Sequence, residues 1–334
     1  MNTDQTKAFK PESALASQPA TMRLVNQISK WGMRHPAGAI VLVAFLAVVI
    51  NCYPIIFCGK SFVSPACVKT IVYSTWPTLP GMTSSPQTLQ HGADTGAMMW
   101  WGVPVGFIES RSVLEHGELP LWNRYGHAGD TLLGQAVSML GDPLQWVVIL
   151  GSGSAGAWDI KFLTAKFLFC CGFGLLILRL LASLPWALIY TALAAYCGAF
   201  YAINNHPAFF VFAYAPWVLL SALAWLDLRS EPSIRWGLVW LLVNFACFNA
   251  GHVEPAVVLI GGLNLVALVC ALAACGRPAD IARVLGRMAV GTLIFLGLTA
   301  PMWMSFLGGA PRLLFHAYKN RGNPVACLLS ARNL

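Results

Sequence analysis

The amino-acid sequence predicts an all-α protein, a polytopic membrane helix bundle of about seven transmembrane helices (seven or eight) with a long outer loop after the first span. Apolar residues make up 57% of the 334-residue chain and charged residues only 10%. Several apolar segments approach or reach the roughly 20 residues that cross a bilayer. A soluble protein of this length buries one or two cores and does not need repeated runs with scarcely a charge.

Seven apolar segments can be placed in order along the chain. They cover residues 36–56, 159–181, 185–203, 208–226, 236–250, 255–275 and 288–307. The fifth is short, so we expect it to be tilted or irregular. On this basis residues 36–57 form the first transmembrane helix and residues 158–308 a six-helix transmembrane bundle.

The segment before the first span has a different composition. Residues 1–35 contain Ser, Thr, Gln, Pro and Lys without apolar periodicity, which predicts a disordered cytoplasmic tail. The apolar run after Pro36 is too long for the apolar core of a signal peptide and lacks a small-residue cleavage site. It is therefore expected to remain as a membrane anchor.

Basic residues orient the spans. With the amino terminus in the cytoplasm, each short inner linker contains or closely follows arginine, as at Arg179, Arg229 and Arg277. The outer linkers 204–207 and 251–254 contain neither lysine nor arginine. This predicts a multi-pass membrane protein with a cytoplasmic amino terminus. The formal net charge of +8 then follows from topology, and nucleic acid is not an expected partner. Lys161 and Lys166 fit less well, and we expect both to reach the outer interface by extending along the helix surface.

The outer loop, residues 58–157, is expected to carry the function, because a connection of this length usually has short helices or a site of its own. Met98, Trp101, Val105 and Ile108 recur at helical spacing. They predict an interfacial helix over residues 97–114. The tryptophans of this loop suit a position at the lipid headgroups, either as a membrane-interface belt or in substrate binding.

Short runs along the chain carry a resemblance to a known family. They are Asp94, Gly-Glu-Leu-Pro-Leu-Trp-Asn at 117–123, a turn with Gly126, Gly129 and Asp130, Gly-Asp-Pro-Leu at 141–144, Asn-His-Pro at 205–207, Gly-His at 251–252 and Ala-Pro at 300–301. Together they resemble YfhO-like bacterial membrane proteins of the GT-C glycosyltransferase superfamily. The resemblance extends over residues 36–311, and its most specific element is the Leu-Pro-Leu-Trp-Asn run with the upstream aspartate.

The resemblance implies an enzyme of the bacterial inner membrane that moves a sugar from a polyprenyl-phosphate carrier to a cell-envelope glycan or polymer on the outer face. Its partners would be the lipid-linked sugar, the acceptor and the bilayer. GT-C enzymes place an acidic residue in the first outer loop, and Asp94 matches that position. As catalytic base it would take a proton from the acceptor hydroxyl. A second interpretation, compatible with the first, is that Asp94 caps a helix starting near Thr95.

A lipid-phosphate donor requires cations and hydrogen-bond donors around its charge. Six of the seven histidines, all except His35, fall on the outer side under the topology above, which was assigned without them. The candidate substrate-binding residues are Asn123, Arg124, His127, Asp130, Asn205, His206, His252 and Glu254. For the histidines an interfacial hydrogen-bonding role is the alternative, and Asn205 is also explained by the turn that it helps to form.

Two features separate the chain from the family. Relatives are usually longer, so residues 309–334 are expected to be an outer carboxy-terminal segment of a truncated or degenerate member. A second acidic residue does not follow Asp94, so neither a metal nor another cofactor is expected. The competing hypothesis is a transporter, flippase or non-catalytic scaffold. Transport is disfavoured because the central spans are almost free of charged residues.

Overall fold

The computed structural model describes residues 34–63, 102–125, 130–132, 138–198, 206–228 and 234–320, together with Gly32, Met98, Phe200 and Ile203. Within these ranges the chain forms ten helices and one two-stranded ribbon. The helices are α1 (Pro36–Asn51), α2 (Tyr53–Phe57), α3 (Val103–Leu114), α4 (Gln145–Leu150), α5 (Ala155–Leu181), α6 (Leu184–Ala194), α7 (Ala208–Leu226), α8 (Ile234–Phe248), α9 (Val253–Ala273) and α10 (Pro278–Asn320).

The ribbon lies between α3 and α4 in the chain. Strand β1 (Trp122–Asn123) pairs antiparallel with β2 (Asp130–Thr131), so that Trp122 is opposite Thr131 and Asn123 is opposite Asp130. The ribbon therefore begins within the Leu-Pro-Leu-Trp-Asn run.

Four helices are long and apolar enough to cross a membrane, namely α5, α7, α9 and the Pro278–Ser305 part of α10. Helices α1, α6 and α8 are equally apolar in character but shorter, with 16, 11 and 15 residues. The predicted all-α membrane bundle is confirmed at this level. Its helical architecture follows from the bilayer, where each backbone polar group must find a partner within its own segment.

The outward faces of the bundle are apolar. Val258 on α9, Leu293 on α10 and Leu242 on α8 expose 75%, 69% and 66% of their surface. Contact with water would cost about 25 cal/mol of free energy for every Å² of this apolar surface, whereas contact with lipid tails avoids that cost. The distribution is that of a protein whose surrounding solvent is lipid.

Helix α7 occupies the centre of the bundle. It packs against α5, α8 and α9, and 67% of its most apolar window is buried, as against 17% for α9. Its first turns contribute Phe209 and Phe210, which pack on Phe162 of α5 with ring centroids 4.9 and 4.7 Å apart. This aromatic cluster lies where α5 and α7 begin.

Small residues allow the helices to approach closely. A Cβ atom added at Gly172 of α5 would overlap the indole of Trp217 on α7, and one at Gly174 would overlap Thr191 on α6. The Trp217 indole N–H also donates to the carbonyl of Leu168, at 2.8 Å. Close approach through small residues is the usual source of helix association where lipid supplies no hydrophobic drive.

Several helix bounds differ from the sequence-based expectation. Helix α5 begins at Ala155, four residues before the predicted start, because Ser154 caps it by accepting from the backbone N–H of Ala157 at 3.3 Å. Helix α6 ends at Ala194 although the apolar run continues to residue 203, and Gly198 in that run is a poor helix former. Helix α10 continues past residue 307 to Asn320.

One end of the bundle carries the segment between the first and second long helices. Four helix ends meet there, namely the amino termini of α5, α7 and α9 and the carboxyl terminus of α8. Helix α4 packs against both α3 and α5, so it connects α3 to this end of the bundle. We call it the loop end. At the opposite end lie the carboxyl termini of α5, α7 and α9 and the amino terminus of α10.

Candidate functional site

Lys161 lies in the second turn of α5 and has no exposed surface. The expectation that it extends to the membrane interface is therefore wrong for this lysine. The residues that follow Met139, together with α4, cover it from the loop side, and Phe210 of α7 closes the other side. Its ammonium lies 4.1 Å from the centre of the Phe210 ring and 5.3 Å from that of Trp158.

Asp142 supplies the charge that balances Lys161. Its Oδ2 lies 3.1 Å from the Lys161 Nζ, and both side chains are fully buried. The contact is an ion pair and not a well-directed hydrogen bond, since Oδ2 has no geometric hydrogen-bond partner. The other oxygen, Oδ1, accepts from the Tyr214 hydroxyl at 2.6 Å and from the backbone N–H of Leu144 at 3.0 Å.

Gln145 connects the ion pair to a second carboxyl group. Its Oε1 accepts from the Lys161 ammonium at 2.7 Å, and its Nε2 donates to Oε2 of Glu109 at 2.6 Å. Glu109 belongs to α3 and is also fully buried. We call Glu109, Asp142, Gln145, Lys161 and Tyr214 the buried polar cluster. It joins α3, the 138–150 segment, α5 and α7.

Burial raises the pKa of Glu109 to about 8, against the opposing effects of the Gln145 hydrogen bond and the Lys161 charge, while Asp142 adds to the rise. At neutral pH the carboxyl group of Glu109 is therefore largely protonated, and it lies beside the Lys161–Asp142 ion pair. Its Oε1 has no hydrogen-bond partner among the described residues. Chemically, the cluster contains a balanced ion pair and a neutral acid able to give up a proton.

His206 and His252 form a second group at the loop end. Their rings stack with centroids 5.0 Å apart and planes inclined by 28°. His206 precedes α7, and its Nδ1 accepts from the backbone N–H of Ala208 at 3.1 Å. His252 is the residue before α9, with extended backbone. Two linkers that are 46 residues apart in the sequence thus present their imidazoles side by side.

Met139 links the two groups. Its sulfur accepts from the Lys161 ammonium at 3.0 Å, while a Cβ atom added at Gly251, next to His252, would overlap its terminal methyl group. Gly251 has φ +113°, a conformation that side chains with a Cβ avoid. A glycine is therefore required for the turn before α9 to approach the 138–142 segment.

The remaining candidate residues are distributed unevenly. Asn123 in β1 accepts from the backbone N–H of Tyr125 at 2.9 Å, which forms a local turn, and Arg124 is exposed and paired with Glu118. Asp130 is opposite Asn123 in the ribbon. Glu254 is exposed in the first turn of α9. Asp94, His127 and Asn205 lie outside the described residues.

The structure thus brings His206 and His252 together, whereas the buried polar cluster contains no residue predicted for the site. Two signals pointed toward the cluster. Lysine is rare within an apolar span, which makes Lys161 unusual, and Asp142 lies in the Gly-Asp-Pro-Leu run. No sequence feature marks Gln145 or Tyr214, because each is common in its local context and acquires its role only from its neighbours.

Within the described ranges, no three His, Cys, Asp or Glu side chains come close enough together to hold a metal ion. No protein-family model, curated protein or solved structure matches the chain.

Proposed function

We propose that this membrane protein is a GT-C type glycosyltransferase that moves a sugar from a polyprenyl-phosphate carrier to a cell-envelope acceptor on the outer face of the bacterial inner membrane. The observation that carries the proposal is the attachment of the 138–150 segment to the transmembrane bundle through the Lys161–Asp142 ion pair. That segment belongs to the loop in which the family resemblance is most specific. Transfer between a membrane-bound donor and an acceptor requires such a loop to be held rigidly against the bilayer.

In this proposal Asp94 is the catalytic base that accepts the proton of the acceptor hydroxyl. His206 and His252 bind the donor phosphate, because neighbouring imidazoles at helix ends supply hydrogen-bond donors at the headgroup level. Asn123, Arg124, His127, Asp130, Asn205 and Glu254 are assigned to the sugar and to the rest of the phosphate.

We also propose seven spans with the amino terminus in the cytoplasm. Helices α1, α6 and α8 would then complete their crossings with the residues that flank them. For α1 these flanking residues include α2. The loop end faces outward in this arrangement. The arginine-bearing linkers then lie inside, as the positive-inside rule requires.

Transfer of radiolabelled sugar tests the proposal directly. Membranes containing the chain are supplied with a panel of polyprenyl-phosphate sugars, beside membranes with equal amounts of Asp94→Asn. The expected result is transfer by the original chain and a loss of about 10²-fold or more in the variant, the range for removal of a general base. Asp4→Asn, in the amino-terminal tail, serves as the matched control and should transfer normally. Full transfer by Asp94→Asn would exclude Asp94 as the base.

Site-directed labelling tests the orientation. The background is a chain in which serine replaces the exposed Cys58, Cys197 and Cys270 and also Cys67 and Cys327, which lie outside the described residues. In that chain a membrane-impermeant maleimide should label His252→Cys from outside and Arg277→Cys only after the membrane is opened. The reverse pattern would place the loop end in the cytoplasm and end the proposal for the outer face.

The second candidate is a transporter or flippase, and the buried polar cluster favours it. Ionisable groups inside a membrane bundle commonly mark transport pathways, and the structure buries Lys161 of α5 together with Asp142 of the loop segment. A non-catalytic scaffold is the third possibility. Lipid or solute flux in reconstituted vesicles that is lost in Lys161→Met, without any sugar transfer, would favour the transporter.

A further inference from the structure

The end of the bundle opposite the loop end contains a cavity of about 620 Å³. It lies between the carboxyl termini of α5, α7 and α9 and the first turns of α10. Among the described residues, three arginines and two aspartates line it: Arg179, Arg283, Arg287, Asp227 and Asp280. This described part of the lining carries a formal charge of +1 and differs in chemistry from the aromatic and histidine-bearing loop end.

The aspartates neutralise only part of this positive charge. Arg179 pairs with Asp227 at 3.0 Å, and Arg283 lies 3.6 Å from Asp280. Arg287 makes no ion pair with a described residue. Its Nη1 donates instead to the backbone carbonyl of Trp225, at 2.9 Å.

Capping of α7 explains one role of these arginines. The Arg179 Nη2 donates to the Leu223 carbonyl at 3.3 Å, as Arg287 does to Trp225, and cations at a helix carboxyl terminus are favourable. Capping nevertheless uses few of the donors. A guanidinium has five N–H groups in a fork that matches a phosphate, and most of those on Arg287 and Arg283 have no protein acceptor among the described residues.

The rest of the wall is apolar. Leu223, Leu226 and Leu228 line the cavity from the α7 side, and Ala274 lines it from the end of α9. A soluble anion would make no favourable contact with this apolar surface. A lipid would place its phosphate among the arginines and its acyl chains along the leucines, where they continue into the surrounding bilayer.

We infer that this cavity binds a phosphate-bearing anion, and that the leucine wall selects an anionic phospholipid as its source. Basic pockets between transmembrane helices are a common way of holding such headgroups. The inference is independent of the glycosyltransferase proposal, since it depends on neither Asp94 nor the loop end.

Native mass spectrometry of the full chain in detergent tests the inference. The protein is incubated with phosphatidylglycerol, phosphatidylcholine or inorganic phosphate, and the bound fraction is compared with that of the double variant Arg283→Gln/Arg287→Gln. We expect preferential retention of phosphatidylglycerol, reduced by about fivefold for each arginine removed. Arg235→Gln is the matched control, because Arg235 is exposed and does not line the cavity.

A second variant keeps every charge. Ala274→Trp fills the cavity and should release phosphatidylglycerol to the level of the double variant, even if the loss of two arginines weakens the fold. Arginine-dependent binding of inorganic phosphate, with no preference for phosphatidylglycerol, would support the phosphate site. It would also show that the ligand is a free phosphate and not a phospholipid. Equal retention of phosphatidylglycerol by the original chain, the double variant and Ala274→Trp would overturn the inference.

Discussion

The ammonium of Lys161 lies 3.1 Å from the carboxylate of Asp142, and neither side chain reaches the surface. The two residues come from different parts of the fold, the second turn of α5 and the segment before α4. Removing two charges from water costs several kcal/mol per ion, so the pair is maintained only with its surrounding hydrogen bonds. Gln145 and Tyr214 provide them. The pair thus makes the position of the loop segment depend on the start of the central bundle.

Breaking one side of the pair should be costly. Lys161→Met leaves Asp142 as an uncompensated buried charge, and we expect the free energy of unfolding to fall by about 3–5 kcal/mol. The double variant Lys161→Met/Asp142→Asn should recover much of this loss, because no net charge remains buried. Unfolding in mixed micelles by titration with sodium dodecyl sulfate measures the change. Lys60→Met, at an exposed lysine, is the control, and additive losses in the double variant would contradict the ion pair.

The raised pKa of Glu109 predicts a pH dependence of stability. The folded state holds the proton up to about pH 8, whereas the unfolded chain releases it near the ordinary glutamate pKa of 4.5. The stabilisation from this group is therefore complete below pH 4.5, falls by about 1.4 kcal/mol per pH unit as the pH rises from there to 8, and is constant above.

Glu109→Gln should remove that slope, because the amide keeps the shape of the neutral acid and does not titrate. The measurement is the difference in unfolding free energy between the two chains from pH 5 to 9. Glu118→Gln, at an exposed residue, should leave the slope in place. A difference that does not change with pH would show that Glu109 is ionised in the folded protein.

Tyr214→Phe should weaken the same cluster by a smaller amount. The variant removes the hydroxyl that donates to Asp142 Oδ1 at 2.6 Å, and a hydrogen bond to a charged group contributes about 1.5–3 kcal/mol. Thermal unfolding in detergent should show a lower midpoint. Tyr190→Phe is a suitable comparison, since Tyr190 is 39% exposed, and an equal loss in both variants would assign the effect to packing.

Gly251→Ala tests the contact between Met139 and the linker before α9, which carries His252. Alanine at φ +113° is strained, and its Cβ would overlap the Met139 side chain. A loss of about 1–3 kcal/mol in stability is expected. Gly261→Ala in α9 meets nothing within 4 Å and should be neutral or slightly stabilising. Under the proposed function, Gly251→Ala should also weaken donor binding, measured as a higher KM, because it displaces His252.

The apolar runs predicted much of the helical order. Helix α7 has the predicted bounds because Pro207 and Asp227 flank an uninterrupted apolar run, and both signals are local. Helix α6 shows the limit of that reasoning. The apolar run predicts a span that continues to residue 203, whereas the helix ends at Ala194. Hydropathy reports which residues tolerate lipid, whereas helix ends also depend on caps and on the neighbours that a segment meets.

The site was less predictable than the helices. His206 and His252 were recognised as linker residues at the membrane boundary, and their stacking agrees with placing both linkers at one end. The prediction that Lys161 reaches the membrane interface is wrong because the residues that bury it are distant in the sequence. Asp142 precedes it by 19 residues and Tyr214 follows it by 53, so no local pattern records that the three side chains meet.

The sequence by itself determined that this is a helical membrane protein, because a bilayer accepts only long apolar segments with internally paired backbones, and composition reports that directly. Tertiary structure alone decided which polar side chains are removed from both water and lipid. Burial of Glu109, Lys161 and Asp142 arises only when α3 and the 138–150 segment fold over the start of α5. Their charges and partners are then set by distance and desolvation, which are properties of the assembled fold and not of any one segment.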